Sequence, residues 1–373
     1  MLAALLYTVH ALLLPPHSAA VLAPTSTQAL FEPVPYRRPS TVALDSNGVA
    51  VVVHITEKES RRTSRDWWIS SSPDRVVVQD DRMHVLPFPA AGTLAPFFID
   101  PNATRLMSIS RIVLSGRGKP VITLFSEVGG AYWAVQEASF VWDGSQWLPA
   151  LRNLSGSMPK NVWVAASDSR GGLGYVGDYL YLDPAGLVNA RTDNLFDVAM
   201  VSRVQQRMVL GRGIITAMSG NRTVGYDDNY VPGGNGSAPV QAIRWDGYRR
   251  SVLGTGVAWS VNAKGDVVGD NRETLKSAGV PMLWRNGTPI RLSDAEGSAF
   301  AVADDGTIVG EVKSRAFLIH PNDPRHHLIL LDNLASGGWH ISAAYFIADN
   351  GEILALASKN GMPARLVLLC PSR

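Results

Sequence analysis

Only a few side chains in the sequence are spaced in a way that chemistry could use. Ser157 and Lys160 match the S-x-x-K spacing of enzymes with an activated serine. Pro159 interrupts that stretch, however, and the partner motifs S-D-N and K-T-G do not occur. The motifs of an α/β-hydrolase elbow, a P-loop and a zinc protease are missing as well. We therefore assign no catalytic residue from the sequence.

The segment that contains Asp227 and Asp228 could hold a metal ion. It lies between Tyr226 and Tyr230, and a glycine-rich stretch follows at 232–236. Clustered oxygen side chains suit Ca²⁺, although the spacing is not that of an EF-hand loop. An ordinary Asp/Asn-rich turn is the alternative. Asp227 and Asp228 are candidate binding residues, and calcium is the one cofactor that the sequence suggests.

The histidine pair and the single cysteine predict no metal site. His326 and His327 are adjacent, and neighbours on an extended chain point to opposite sides. Cys370 is the single cysteine, which excludes an intrachain disulfide. We expect it to be a small apolar residue at the end of a strand, with an intermolecular disulfide or lipid attachment as the alternative.

Two pairs of adjacent aromatic residues are candidates for a binding surface. They are Trp67 with Trp68 and Tyr132 with Trp133, and both pairs fall outside the repeat described below. One member of each pair should face outward, where an aromatic ring can contact a glycan or a protein.

The composition describes a globular protein. The chain has 373 residues, of which 46% are hydrophobic and 18% charged, with a mean hydropathy of +0.04. Its net charge of +2 provides no strong field for nucleic acid or an anionic membrane. We expect neither as a partner, and the sequence leaves the oligomeric state open.

The N-terminal segment is typical of an export signal. Leu2–Leu14 is mostly apolar, Pro15 and Pro16 stop any helix, and Ser18-Ala19-Ala20 supplies small residues for cleavage. A membrane-spanning helix needs roughly 20 apolar residues, so this segment is too short. No Lys or Arg precedes Arg37, and a start codon farther upstream is the alternative. We expect residues 1–20 to be a signal peptide, and the protein to be secreted or periplasmic.

A repeated hairpin dominates the second half of the chain. Ala258–Gly269 is echoed by Ala301–Gly310 and by Phe346–Leu354, and the turn glycines Gly265, Gly306 and Gly351 are 41 and 45 residues apart. A weaker copy at 217–225 has Asn221 in place of the turn glycine. Degenerate copies are predicted at Asp168–Gly174, Ile99–Leu106 and Leu44–Val52.

The residue types explain why this motif forms a hairpin. Glycine readily adopts the positive φ that the turn needs, and a β-branched run such as Val267-Val268 returns as the second strand. A second glycine follows four residues later, at Gly269 and Gly310, which allows close packing.

A second hairpin with a characteristic tryptophan follows the first. Trp142, Trp245 and Trp284 hold this position, which favours packing within or between repeats. Each unit therefore supplies four short antiparallel strands in about 40 to 50 residues, the usual length of a propeller blade. The sequence predicts an all-β protein, a β-propeller of six or seven four-stranded antiparallel blades. Residues 21–373 would form this single domain, with clear repeats at 210–368 and degenerate ones at 40–209.

The repeat resembles that of the HAF-repeat group of extracellular repeat proteins. The matching segments are Val261–Gly269, Val302–Gly310, Ala316-Phe317 and Trp284–Leu292. The resemblance implies an exported propeller. It assigns no catalytic residue.

The last repeat has too few residues for four strands. It supplies Ala343–Ala348, Glu352–Ala357 and Met362–Leu369 as three strands, and Pro371-Ser372-Arg373 is too short for a fourth. An unpaired edge would invite aggregation. We therefore expect part of residues 25–40 to pair with 362–369 and close the ring.

Together these features favour an exported binding module with a protein or glycan ligand. A glycan-active enzyme with its site at the mouth of the central channel is one alternative, and a structural or assembly protein is another. Propellers serve all three roles, so the fold alone does not decide between them.

The export signal predicts where the mature chain begins. Cleavage after Ala20 would leave Val21 as the first residue, because Ser18 and Ala20 occupy the −3 and −1 positions. N-terminal sequencing of exported protein should find Val21. Exported protein that begins with an intact Met1 would contradict this processing.

Overall fold

The computed structural model describes a large part of the chain. The described residues are 20–21, 42–44, 50–54, 75–79, 83–98, 101–102, 107–115, 118–127, 135–150, 162–168, 170, 172–178, 197–203, 206–227, 239–320, 323, 325–334, 339–359 and 364–370.

The described residues form seven four-stranded antiparallel sheets. Strand β1 (Ala20–Val21) begins the described chain and joins the seventh sheet. The next four strands are β2 (Val42–Leu44), β3 (Ala50–His54), β4 (Arg75–Gln79) and β5 (Met83–Leu86). The second sheet comprises β6 (Met107–Ser115), β7 (Lys119–Glu127), β8 (Val135–Trp142) and β9 (Trp147–Pro149). The third comprises β10 (Val162–Ser167), β11 (Leu173–Asp178), β12 (Asp197–Arg203) and β13 (Gln206–Arg212). Strands β2 to β5 make the first sheet.

The remaining sheets follow the same plan. The fourth comprises β14 (Ile214–Ser219), β15 (Arg222–Asp227), β16 (Gln241–Asp246) and β17 (Arg249–Thr255). The fifth comprises β18 (Val257–Val261), β19 (Val267–Asp270), β20 (Pro281–Arg285) and β21 (Thr288–Arg291). The sixth comprises β22 (Gly297–Val302), β23 (Ile308–Val312), β24 (Arg315–Ile319) and β25 (Ile329–Leu330). The seventh comprises β26 (Trp339–Ile347), β27 (Ile353–Lys359), β28 (Arg365–Leu369) and β1. A short helix, α1 (Ala91–Leu94), and a 3-10 turn (Leu331–Asn333) complete the described elements.

The first strands of the sheets form a closed circle. Strand β2 contacts β6, contacts continue through β10, β14, β18 and β22 to β26, and β26 contacts β2 again. Sheets arranged radially around a common axis define a β-propeller. The prediction of an all-β propeller with four-stranded antiparallel blades is confirmed.

A strand from the N-terminal end completes the seventh sheet. Ala20 pairs with Leu368 and Val21 pairs with Val367, so β1 lies on the free edge of β28. The residues on this edge are thus Ala20 and Val21, and cleavage after Ala20 would leave only Val21 of this strand in the mature chain. The predicted closing segment, 25–40, lies outside the described residues and stays a prediction.

The three repeat glycines occupy equivalent turns. Gly265, Gly306 and Gly351 have φ values of 88°, 102° and 87°. Each donates its backbone N–H to the carbonyl oxygen three residues earlier, over 2.9 to 3.0 Å. The predicted equivalence of these positions is confirmed.

The weaker copies differ in their turns. In the third sheet, the backbone N–H of Gly172 donates to Asp168 Oδ1 over 2.7 Å, just as that of Asp266 donates to Asn262 Oδ1 over 3.0 Å. In the fourth sheet Gly220, not Asn221, carries the positive φ of 56°. Met218 pairs with Thr223 across four residues, whereas the equivalent Val261 pairs with Val267 across five. In the shorter loop, Ser219 also pairs with Arg222, which leaves a two-residue turn.

Two degenerate copies remain. At Leu44–Val52, Leu44 pairs with Ala50 at the start of a hairpin, as predicted. The copy at Ile99–Leu106 lies mostly outside the described residues, and the first hairpin of the second sheet is formed by β6 and β7. Its turn contains Gly118 at a φ of 69°, and the long strands shift it away from the expected spacing.

Hydrogen bonds between successive turns connect neighbouring sheets. The backbone N–H of Ala263 donates to Asp304 Oδ1 over 2.7 Å, and that of Asp304 donates to Asp349 Oδ1 over 3.1 Å. Asn262 Nδ2 donates to the carbonyl oxygen of Ala303 over 3.0 Å. These bonds join equivalent positions one repeat apart and therefore hold the fifth, sixth and seventh sheets in register.

The repeat tryptophans pack inside the protein. Trp245 is fully buried and donates its Nε1 hydrogen to the carbonyl oxygen of Leu210, in the preceding sheet, over 3.0 Å. Trp284 is also buried and packs against Val224 and Ala258. Trp142 is half-buried and lies edge-on to Trp147 at 5.3 Å. The predicted packing role is confirmed for these positions.

The second glycine of the motif lies where two strands approach closely. A Cβ atom on Gly225, Gly269 or Gly310 would lie 1.8, 1.9 or 2.1 Å from a backbone carbonyl oxygen of the preceding strand. Opposite each glycine, the first strand shifts register by one residue, which is a β-bulge. Glycine is therefore required at these three bulges, because any side chain there would collide with the backbone of the neighbouring strand.

Replacing Gly269 with alanine should destabilise the protein. The new methyl group would lie 1.9 Å from the carbonyl oxygen of Val257 and 3.0 Å from the ring of Trp284, so the backbone must move. We expect a loss of about 3 kcal/mol, the upper end for overpacking a core. Urea unfolding of the purified variant measures the loss.

Gly92→Ala is the matched control, because no atom lies within 4 Å of a Cβ built on Gly92 in α1. Its effect should stay within about 1 kcal/mol. Equal stability of the two variants would show that the bulge does not require glycine.

Candidate functional site

The β-bulges place one residue of each affected first strand at a common level of the ring. These residues directly follow the register shifts of β6, β10, β14, β18, β22 and β26. They are Arg111, Ala166, Ala217, Ser260, Ala301 and Phe346, and all six line one cavity. Ala43 and Leu44 of the first sheet line it as well. The cavity therefore lies on the axis, where all seven first strands meet.

The axial cavity has a volume of about 280 Å³, and most of its lining residues are apolar, while polar atoms form nearly half of its surface. The size approaches the lower end of small-molecule sites, which are mostly apolar with a few polar groups. The aliphatic lining residues are Leu44, Ile112, Val113, Leu114, Ile214, Ile215, Val261, Val302 and Ile347. Four of the six residues at the bulge level are alanine or serine, and these small side chains leave the space open.

Arg111 is the one charged residue among the described residues that line the cavity. Its guanidinium carbon lies 5.4 Å from the ring centroid of Trp163, which is a cation–π distance. Arg111 is half-buried. Within the described part of the chain it makes no ion pair. The cavity therefore presents a positive charge that no carboxylate of the described residues neutralises.

Hydroxyl groups supply the remaining polarity of the wall. Ser167 Oγ donates to the carbonyl oxygen of Leu114, and Thr216 Oγ1 donates to that of Ala258. Both bonds bridge neighbouring sheets. Ser260 Oγ instead accepts a long bond of 3.5 Å from the backbone N–H of Val302, which leaves its own hydrogen available for a ligand.

A buried ion pair fixes Trp259, which forms part of the cavity wall. Trp259 Nε1 donates to Asp270 Oδ2 over 2.9 Å. Arg272 binds both oxygens of Asp270 at 2.6 Å, and Ser298 Oγ donates to the same carboxylate over 2.6 Å. All four residues are buried. A buried carboxylate is tolerated when it is fully hydrogen-bonded, so this cluster holds the tryptophan in one position.

Asp227 is the one predicted site residue that the structure describes. It is buried, and Arg212 Nε and Arg250 Nη2 reach its two oxygens at 2.8 and 2.9 Å. These contacts give Asp227 a structural role between two arginines. The other predicted site residues, Trp67, Trp68, Tyr132, Trp133 and Asp228, lie outside the described residues. Among the described residues, no three or more His, Cys, Asp or Glu side chains come together as metal ligands.

The histidine pair is held by a turn. Asp323 Oδ2 accepts the backbone N–H of His327 at 2.7 Å and lies 2.9 Å from its Nδ1. Hydrogen bonds from the backbone of Arg325 and from His327 lower the pKa of Asp323 below its ordinary value.

The structure also joins an aspartate and a histidine that the sequence analysis did not select. Asp332 Oδ2 lies 3.1 Å from both His340 Nδ1 and Arg315 Nε, and Oδ1 accepts the backbone N–H of Ile341 at 2.6 Å. Burial alone would raise the pKa of Asp332, but these hydrogen bonds together hold it below its ordinary value. Eight residues separate Asp332 from His340, and no motif marks the pair.

No protein-family model matches the sequence, and no curated protein matches it. Solved structures do. The chain is similar to acylaminoacyl peptidase from Pyrococcus horikoshii, with a TM-score of 0.51 and 13% identity over 89% of this chain. It spans half of that peptidase, 50% of its length.

A second similar structure is the β-propeller domain of the trilobed protease from Pyrococcus furiosus, described as having an open velcro topology. The TM-score is 0.53 at 8% identity, and the match covers 88% of this chain and 94% of that domain. At such low identities the likeness shows the fold, a β-propeller. Among the described residues, no helix is long and apolar enough to cross a membrane.

The environment of Cys370 predicts an unreactive thiol. Burial, and then the negative charge of nearby Glu352, raise its pKa from the ordinary 9.0 to about 11. At pH 8 the folded protein should hold roughly 100-fold less thiolate than an ordinary cysteine, and the thiolate is the reactive form. Alkylation by iodoacetamide, followed by mass spectrometry, should be correspondingly slow.

The same protein in concentrated urea serves as the control, because unfolding removes the burial. Equal labelling rates in the folded and unfolded protein would contradict the raised pKa. They would also reopen the alternative of an intermolecular disulfide at Cys370.

Proposed function

We propose that this protein is an exported, seven-bladed propeller that binds a small molecule in its axial cavity. The observation that carries the proposal is the cavity itself, built from the first strands of all seven sheets. The N-terminal segment, with its apolar run and its cleavage pattern, supports export. The resemblance of the repeat to the HAF-repeat group supports the same location.

The wall of the cavity suits binding. Aliphatic side chains surround a guanidinium group and a hydroxyl with an available hydrogen. Small-molecule sites combine apolar burial with a few placed polar groups in this way. Trp259 is anchored by the Asp270 cluster, so this part of the wall is organised before a ligand arrives, which lowers the entropic cost of binding.

The alternative of a glycan-active enzyme has different requirements. Glycoside cleavage uses two carboxyl groups that face each other across the bond. The described lining instead offers Arg111, hydroxyl groups and apolar side chains. Binding is therefore the function that the geometry supports best. An assembly role would depend on outer surfaces and not on the cavity.

Filling the cavity tests the proposal. Ala217 lines the cavity and is half-buried, so Ala217→Phe should place a ring in the space that a ligand needs. A library of small molecules is screened against the wild-type protein by ligand-observed NMR. We expect the ligands found in this way to bind the filled variant at least about tenfold more weakly, a cost of roughly 1.4 kcal/mol.

Ala278→Phe is the control, because Ala278 is exposed and lies outside the cavity lining. It should leave the same ligands bound. Ligands that bind both variants as tightly as the wild type would place the binding site elsewhere. Conversion of a ligand to product during the NMR measurement would favour the enzyme instead. Thermal melting of each variant establishes that the propeller remains folded.

A further inference from the structure

We infer that the cavity binds a carboxylate with an apolar body, and that Arg111 recognises its charge. This inference rests on the proposed binding function and names the chemistry of its ligand. It comes from the presence of one guanidinium among lining residues that are mostly apolar.

An arginine without an anionic partner is unusual in such a place. Moving a charge out of water is costly, and buried charges in proteins are normally paired. The other half-buried arginines that the structure describes follow that rule, because each lies 2.6 to 3.8 Å from an aspartate oxygen; they are Arg212, Arg222, Arg244, Arg285 and Arg315. Arg111 makes no ion pair among the described residues. A bound anion would supply the missing partner.

The contact with Trp163 prepares Arg111 for such a ligand. The guanidinium carbon lies 5.4 Å from the centroid of the indole ring, an arrangement that restricts the long side chain. A ring contact leaves the N–H groups at the edge of the guanidinium free to donate. Two parallel N–H donors match the two oxygens of a carboxylate.

The apolar residues that line the cavity favour an apolar group on the ligand beside its carboxylate. Ile112, Val113 and Leu114 follow Arg111 in β6, and all three line the cavity. Burying apolar surface against them contributes about 25 cal/mol per Å². One cation among the described lining residues matches one negative charge, and an inorganic dianion would leave the apolar wall unused. A monocarboxylate with an alkyl chain fits both properties.

Titration calorimetry with hexanoate tests the inference, with hexanamide and inorganic phosphate as comparison probes. The wild-type protein should bind hexanoate at least about tenfold more tightly than either comparison probe, since a hydrogen bond to a charged group contributes roughly 1.5–3 kcal/mol. Arg111→Met should remove this preference for the carboxylate. Arg111→Lys keeps the charge without the planar fork and should retain part of it.

Arg249→Met is the matched control, because Arg249 is exposed in β17 and is not among the residues that line the cavity. It should bind hexanoate as the wild type does. Trp fluorescence adds an independent readout, because hexanoate should change the emission of the wild type more than that of Trp163→Phe. Arg111→Lys keeps the test valid should Arg111→Met fold poorly in a thermal melt.

The outcomes separate this inference from the proposed function. Equal binding of hexanoate and hexanamide, unchanged in Arg111→Met, would overturn the role of charge while leaving a binding cavity. If inorganic phosphate bound as tightly as hexanoate, the claim that the ligand has an apolar body would be wrong. Failure of wild-type protein to bind hexanoate would overturn the inference as a whole. The library screen with Ala217→Phe would still decide whether the cavity binds other molecules.

Discussion

The close approach of the first two strands in the fourth, fifth and sixth sheets is the constraint on which this part of the molecule depends. At Gly225, Gly269 and Gly310 the strands come so near that a single methyl group would collide with a backbone carbonyl. The extra residue of the bulge lies opposite these glycines. A bulge redirects the side chains that follow it. The close contact between the two strand backbones therefore determines which side chains of the first strand face the axis.

The parts of the fold that rest on local chemistry could be predicted from the sequence. Turn glycines at Gly265, Gly306 and Gly351 mark hairpins, because positive φ has few other solutions. Trp245 and Trp284 recur because a large ring fills the same space between sheets. Where the turn changes length, as at Gly220, the pattern misplaces the residue that adopts the turn conformation.

The cavity wall could not be predicted, because it is assembled from strands far apart in the sequence. In the last three sheets, the cavity-lining residue that follows the bulge lies five positions before the turn glycine, at Ser260, Ala301 and Phe346. That spacing is a usable signal once the bulge is known. It fails for Arg111, which lies seven positions before Gly118 in a longer hairpin. The ion pair of Asp270 and Arg272 carries no motif either.

The level of the ring that follows the bulges has an evolutionary consequence. Six of the seven sheets contribute one residue there, and the hydrogen bonds between turns that join the last three sheets involve other residues, such as Ala263 and Asp304. A substitution at Ala166, Ala217 or Ala301 therefore alters the interior without weakening those bonds. Related chains could therefore change the specificity of the cavity by substitutions in one repeat at a time, while the hydrogen bonds between sheets stay the same.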